Sequence, residues 1–234
     1  MKKKISASIN APSDAFTVSL SDLMAGLLAI FILILSYFIL NFSQATSQLV
    51  QNDVKRTELL NAVHDELLKN NFEVIIDDKH GILRISEGVL FDVGEASVKP
   101  QGQAIINKMG TVLCDLLTTE EFAGSVETIF IEGHTDNTPI ATMEFPSNWE
   151  LSTKRAINTW LTLQASTPAS NTLLNKNKQP IFSCSGYADT RPIADNATVA
   201  GKSANRRIDF RFTMTPPSED DMKFVKFVKK RLKE

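Results

Sequence analysis

The feature that most constrains this chain is the stretch "SLSDLMAGLLAIFILILSYFIL", Ser19 to Leu40. From Leu23 to Leu40 it holds no charged residue. At ~1.5 Å per residue that run alone makes about 27 Å of helix. With its flanks, residues 17–42 reach across a hydrocarbon layer of about 30 Å. A cleaved signal peptide is shorter and ends at a small-residue site, which is not found here, so the run reads as a retained anchor. Lys2, Lys3 and Lys4 precede it, and no Lys or Arg falls between Asn41 and Val54. That asymmetry puts the N-terminus in the cytoplasm and the remainder outside.

One acid, Asp22, stands at the lip of the run. Ser and Asp favour helix N-caps, and an interfacial acid in water is a second ordinary reading. The spacing adds a third. At about 100° per residue, Asp22, Gly26, Ala29, Leu33 and Ser36 share one stripe, small or polar against Leu, Ile and Phe elsewhere. Small residues let another helix approach closely, and an intramembrane acid on such a face is a functional-site candidate.

The rest of the chain reads as a polar arm (1–16), the span (17–42), a helical linker (43–71), a soluble domain (72–216) and a basic amphipathic helix (217–234). In the linker, Leu49, Val50, Val54, Leu59, Leu60, Val63, Leu67 and Leu68 recur at helical spacing, which suits a spacer, a seam with a second copy or a channel plug. Beyond it, 81–91 alternates as a strand or hairpin. Residues 96–117 and 148–165 have helical periodicity, and 126–134, 180–188 and 206–214 read as strands. The expected class is α+β: a β-α-β-α-β-β domain with helices on one face of a mixed sheet. The formal charge of −2 gives no global reason to expect nucleic acid. Cys114 and Cys184 are either a pair or two buried thiols.

Four blocks then fall in order: "IFIEGHTDNTPI", "SNWELSTKRA", "GYADTRPI" and "NRRIDFRF". Together, over roughly residues 80–214, they resemble the OmpA-like peptidoglycan-binding domain. Peptidoglycan stems carry a diamino acid with an ammonium beside carboxylates. A binder needs a fixed anion and a fixed cation a ligand's width apart. Asp136 suits the ammonium, and Arg155 offers a planar fork for a carboxylate. The resemblance implies these roles, with Thr135, Asn148, Leu151 and Arg206 at further pocket positions. The turn "NTPIATMEFP" is long, as in stator proteins. His134, Asp136 and Ser152 do not make a hydrolase, since no nucleophile elbow or oxyanion loop accompanies them. His64, His80 and His134 lack metal-ligand spacing. No enzyme activity, metal or cofactor is expected.

A short arm, one span opening with "SDLM", a helical linker and this domain together resemble the MotB and ZorB family, the B subunits of ion-driven stator motors. The resemblance implies that Asp22 carries the ion. It also implies a multi-span ring partner of the MotA or ZorA kind, a second copy of the chain, and attachment to both inner membrane and peptidoglycan. The stretch "FTVSLSDLM" lacks the Trp and "YAD" common in flagellar members, which points toward Zorya-type anti-phage systems. A flagellar stator subunit and a purely structural tether are the alternatives.

Overall fold

The computed structural model describes residues 12–216. The three-lysine arm and the basic tail expected to be helical lie outside the described residues. The chain divides into two units, and residues 49–216 form the larger, folded one. The described part of the other is a helical stretch.

Helix α1 runs Pro12–Lys69. Its start at a proline fits the first helical turn, where φ is already set and no N–H is needed. The arm expected to be irregular to residue 16 is therefore helical from Pro12. Within α1, Val18–Ser43 is long and apolar enough to cross a membrane, with mean hydropathy 2.7. The last turns have a different role. Leu59, Leu60, Val63 and Leu67 are all 0% exposed and belong to the domain's own core. The C-terminal half of the apolar pattern over 49–68 is thus covered by the domain itself, while Val50, Val54 and Leu68 stay exposed, and the domain begins well before residue 72.

Strand β1 (Ile75–Asp77) forms a hairpin with β2 (Ile82–Ser86), followed by the short helix α2 (Glu87–Leu90). Gly81 closes the hairpin turn at φ 68°, a left-handed conformation that side chains resist. Helix α3 is Pro100–Leu117. It starts later than the periodicity suggested because Pro100 disfavours helical backbone in the residue before it. Strand β3 (Val126–His134), helix α4 (Asn148–Ser166), strand β4 (Phe182–Gly186), helix α5 (Val199–Asn205) and strand β5 (Arg207–Met214) complete the domain. At the start of α4, the Ser147 hydroxyl accepts from Trp149 N at 3.2 Å, and it donates to the Glu150 carboxylate. This Ser-x-x-Glu pair fixes the first turn.

The sheet order is β1-β2-β5-β3-β4, with β3 and β4 parallel and the other neighbours antiparallel. The fold is the α+β class expected. Alternation along β5 sends Ile208, Phe210 and Phe212 into the core against Ile129, Ile131, Ile105, Met109 and Leu163. The other face carries an ion-pair ladder. Arg84 donates twice to Asp209, at 2.8 and 3.1 Å; Arg207 donates to Asp209 at 3.0 Å; Arg211 pairs with Glu132. Arg207, Asp209 and Glu132 are all buried, so the strand expected to be half-buried is enclosed on both faces. Cys114 and Cys184 are free thiols, and burial pushes Cys184 up to about 11.

Two glycines set the distance between sheet and α4. A Cβ on Gly133 would lie 2.0 Å from Ser152 O, and one on Gly186 would lie 2.1 Å from Thr153 Oγ1. Helix α4 therefore rests directly on the ends of β3 and β4, beside the segment where the "HTD" block leaves the sheet.

Candidate functional site: a charge-balanced cleft

A cleft of about 400 Å³ opens where β3, α4, α2 and β5 meet. Thr135, Asp136, Asn148, Leu151, Arg155 and Arg206 all line it, joined by Glu87. Residues far apart in sequence, from Glu87 to Arg206, are thus brought to one wall by the sheet order, which seats β5 beside β3.

Asp136 lies two residues beyond the end of β3. Its Oδ1 accepts from Thr138 N at 2.8 Å, and its Oδ2 accepts from Arg206 Nη1 at 2.5 Å. Burial alone would raise its carboxyl. The bonds from Arg206 and Thr138 outweigh that and hold it below the usual carboxylate range. Asn148 Nδ2 donates to Thr138 O at 3.0 Å and to Asp136 O at 3.4 Å, bracing the same turn. Leu151 packs with Ala96 and Phe145 in a small satellite core that holds the long 139–147 segment against α4. Thr135 is anchored through its backbone to Ala188 O at 2.9 Å. Its buried hydroxyl has no hydrogen-bond partner among the described residues. A buried hydroxyl in that state is costly unless something else bonds it.

The two arginines are not equivalent. Arg155 is 2% exposed. Its Nε donates to Glu95 O at 2.8 Å, its Nη2 to Asp92 O at 3.3 Å, and its Nη1 pairs with Glu87. The Phe91 ring lies 5.1 Å from its guanidinium carbon. Much of the fork that sequence assigned to a ligand is spent holding the 92–95 loop. The Arg206 side chain is 35% exposed and spans Glu87 Oε2 (2.6 Å) and Asp136 Oδ2 (2.5 Å). Its Nη2 makes no bond among the described residues. Arg206 is therefore the more available cation, and Arg155 the deeper one.

Glu87 is the cleft residue that sequence reasoning missed. It sat in "GILRISEGVLF" as one polar residue of an alternating strand. Its partners lie far along the chain, and no local pattern pointed to them.

His134 sits behind the cleft, not in it. It stacks on Tyr187 with ring centroids 5.4 Å apart, and burial first, then Arg207, pushes its pKa down to about 3. It is a neutral packing residue at ordinary pH. Ser152 Oγ accepts from Ala188 N at 3.1 Å and donates to Trp149 O at 3.1 Å, a structural tie between α4 and the 187–190 turn. Among the described residues no group of three or more His, Cys, Asp or Glu is placed to hold a metal.

Comparison with known proteins bears on this cleft directly. Residues 90–206, half of the 234-residue chain, match the OmpA family. The chain belongs to the OmpA family. It is 30% identical over 147 residues to "Motility protein B" of Bacillus subtilis, covering 63% of this chain and 50% of that protein. The chain thus spans about half the length of that relative. It also superimposes on "the cell wall anchor of the T6SS from Pseudomonas aeruginosa", at 27% identity and TM-score 0.52, covering 67% of this chain and 97% of that one. A "putative MotB like protein from Desulfovibrio vulgaris" shares the fold at 19% identity and TM-score 0.54, covering 72% and 95%.

The OmpA-family match contains Thr135, Asp136, Asn148, Leu151, Arg155 and Arg206. Glu87 falls three residues before it. The acid that ties both arginines of this cleft together thus lies outside the matched region.

Proposed function

We propose that this chain is the B-type subunit of an ion-driven stator motor, anchored in the inner membrane by α1 and held to peptidoglycan by its OmpA-family domain. The observation that carries this reading is the cleft: two acids and two arginines converge, beside a buried unbonded hydroxyl, in a chain whose apolar segment Val18–Ser43 holds a single acid, Asp22.

The cleft's chemistry suits the diamino acid of a peptidoglycan stem. Asp136 takes the ammonium. Arg206 Nη2, with the unused N–H groups of Arg155, takes the carboxylate as charge-assisted bonds. Thr135 Oγ supplies one further bond. The similarity to a motility protein and to a cell wall anchor supports the same assignment. In the membrane, Asp22 is the ion carrier, a proton by preference. Protonation neutralises it and lets it face a different environment in the partner ring, and release restores the charge. Each charge that crosses is worth about 2.3 kcal/mol per 100 mV. The wall-held domain keeps this subunit still while a multi-span ring turns around two copies of it. The three N-terminal lysines support a cytoplasmic N-terminus and a periplasmic domain. The stretch before Asp22 supports the Zorya-type branch for the motor's output.

The test is co-sedimentation of the full chain, in detergent, with purified sacculi. Wild type is expected to pellet with them. Asp136→Ala is expected to lose at least about 30-fold in affinity, since losing one half of a charge-assisted pair costs on the order of 2–5 kcal/mol. Arg155→Ala is expected to lose binding and thermal stability together, because its guanidinium also holds the 92–95 loop. Undiminished pelleting of a folded Asp136→Ala protein would place the ligand elsewhere.

A further inference from the structure

The charged side chains lining the cleft are Glu87, Asp136, Arg155 and Arg206, two of each sign. Asp136 and Arg206 pair with each other, so a ligand could be met by these two alone. Glu87 adds something else. Its two oxygens are divided, Oε1 on Arg155 Nη1 and Oε2 on Arg206 Nε. Its backbone is fixed as well: Glu87 N donates to Arg206 O at 3.0 Å, which ties the start of α2 to the residue before β5. Glu87 itself is 7% exposed and lies at the wall of the cleft. A buried carboxylate that neutralises one of two adjacent guanidiniums sets the charge that an incoming ligand meets.

We propose that Glu87 is a specificity-determining residue of this cleft: by orienting both guanidiniums and cancelling one positive charge, it makes the site select a carboxylate that carries an ammonium beside it over a carboxylate alone. The inference rests on the wall-binding reading and deepens it. Without Glu87 the lining would be net positive, and a plain anion would bind as well as a zwitterion. With it, the lining is neutral, and the ammonium near Asp136 gains without the anion losing its two arginines. The Arg206 Nη2 edge, left unbonded by Glu87 and Asp136, is then the edge offered to the ligand carboxylate.

The experiment uses the full chain in detergent and two soluble probes, titrated calorimetrically. One is a stem peptide with the free amino-carboxylate end of its diamino acid; the other is the same peptide acetylated on that amine. The readout is the ratio of their affinities. Three proteins give a charge series: Arg206→Gln (lining net −1), wild type (0) and Glu87→Gln (+1). Glu87→Gln keeps an oxygen that accepts from Arg155. The ratio in favour of the free amine is expected to fall in that order, by about tenfold or more between wild type and Glu87→Gln, with the acetylated probe binding Glu87→Gln more tightly than it binds wild type. If Glu87→Gln does not fold, the double variant Glu87→Gln/Arg206→Gln, again neutral, must show a lower ratio than Arg206→Gln alone. A ratio unchanged by Glu87→Gln, or one that does not follow the series, overturns the role of Glu87 while leaving wall binding intact. Wild-type protein that binds neither probe overturns the wall-binding reading, and this inference with it.

Discussion

Gly133→Ala is expected to lower the thermal unfolding midpoint by roughly 10 °C. The added Cβ would lie 2.0 Å from Ser152 O, 2.8 Å from Ser152 C and 3.2 Å from Ser152 Cα. All three are main-chain atoms of α4, so no side chain can rotate out of the way. Either α4 lifts off the sheet or β3 bends. Overpacking of this kind costs about 3 kcal/mol, and in a domain of this size each kcal/mol moves the midpoint by ~2–4 °C. Binding should suffer further, because the same contact sets how far Asp136, just beyond β3, stands from Asn148 and Arg155 on α4. Gly88→Ala is the control. Nothing lies within 4 Å of a Cβ there, and a helical alanine costs nothing in propensity. Differential scanning of the detergent-solubilised protein reads both. A Gly133→Ala midpoint within 2 °C of wild type would mean that α4 is not seated on the sheet as described.

The second large effect is functional. Asp22→Asn is expected to abolish ion-driven output while leaving the protein in the membrane at normal levels. Asn keeps the shape and removes the titrating proton. Asp22 lies four residues into the apolar segment Val18–Ser43. On a continuous helix its stripe-mates are Gly26, Ala29, Leu33 and Ser36, and a Cβ on Gly26 meets nothing within 4 Å in this chain. That open strip is where a partner helix has room to approach. Asp22→Glu, which keeps the titrating group on a longer arm, is expected to retain part of the output. Full output from Asp22→Asn, measured as proton flux or as the biological response with the partner ring present, would remove the carrier role and leave a tether.

Much of this molecule was legible in its sequence, and the reasons differ by element. Strand β3 was read at its observed limits because nine residues of apolar alternation run into a polar turn. Helix α4 was read within a residue because Leu151, Ala156, Trp160 and Leu163 recur at helical spacing, and the structure adds the Ser147–Glu150 cap at its start. Strand β1 was not read. It is three residues long, and its evidence is its pairing with β2, which no local pattern encodes. Helix α5 was missed for a related reason: "VAGKSAN" has no apolar stripe, and the helix is held by the Thr198 cap on Gly201 N at 2.9 Å. The amphipathic pattern of 49–68 was seen correctly, but its partner was not. A periodic apolar face says that something covers it; only the fold says that Leu59, Leu60, Val63 and Leu67 are covered by their own domain. In the cleft, the family blocks brought out Asp136, Arg155 and Arg206. The division of labour between the arginines, and Glu87 between them, came from three-dimensional proximity alone.

The central claim is that a membrane-embedded chain is held to the cell wall through this cleft. Fluorescence recovery after photobleaching of the tagged full chain in live cells tests it most directly. Wild-type protein should recover little over minutes, as a wall-fixed molecule does, and Asp136→Ala should recover at the rate of an unattached single-span protein. Wild-type recovery as fast as that of Asp136→Ala would contradict the claim.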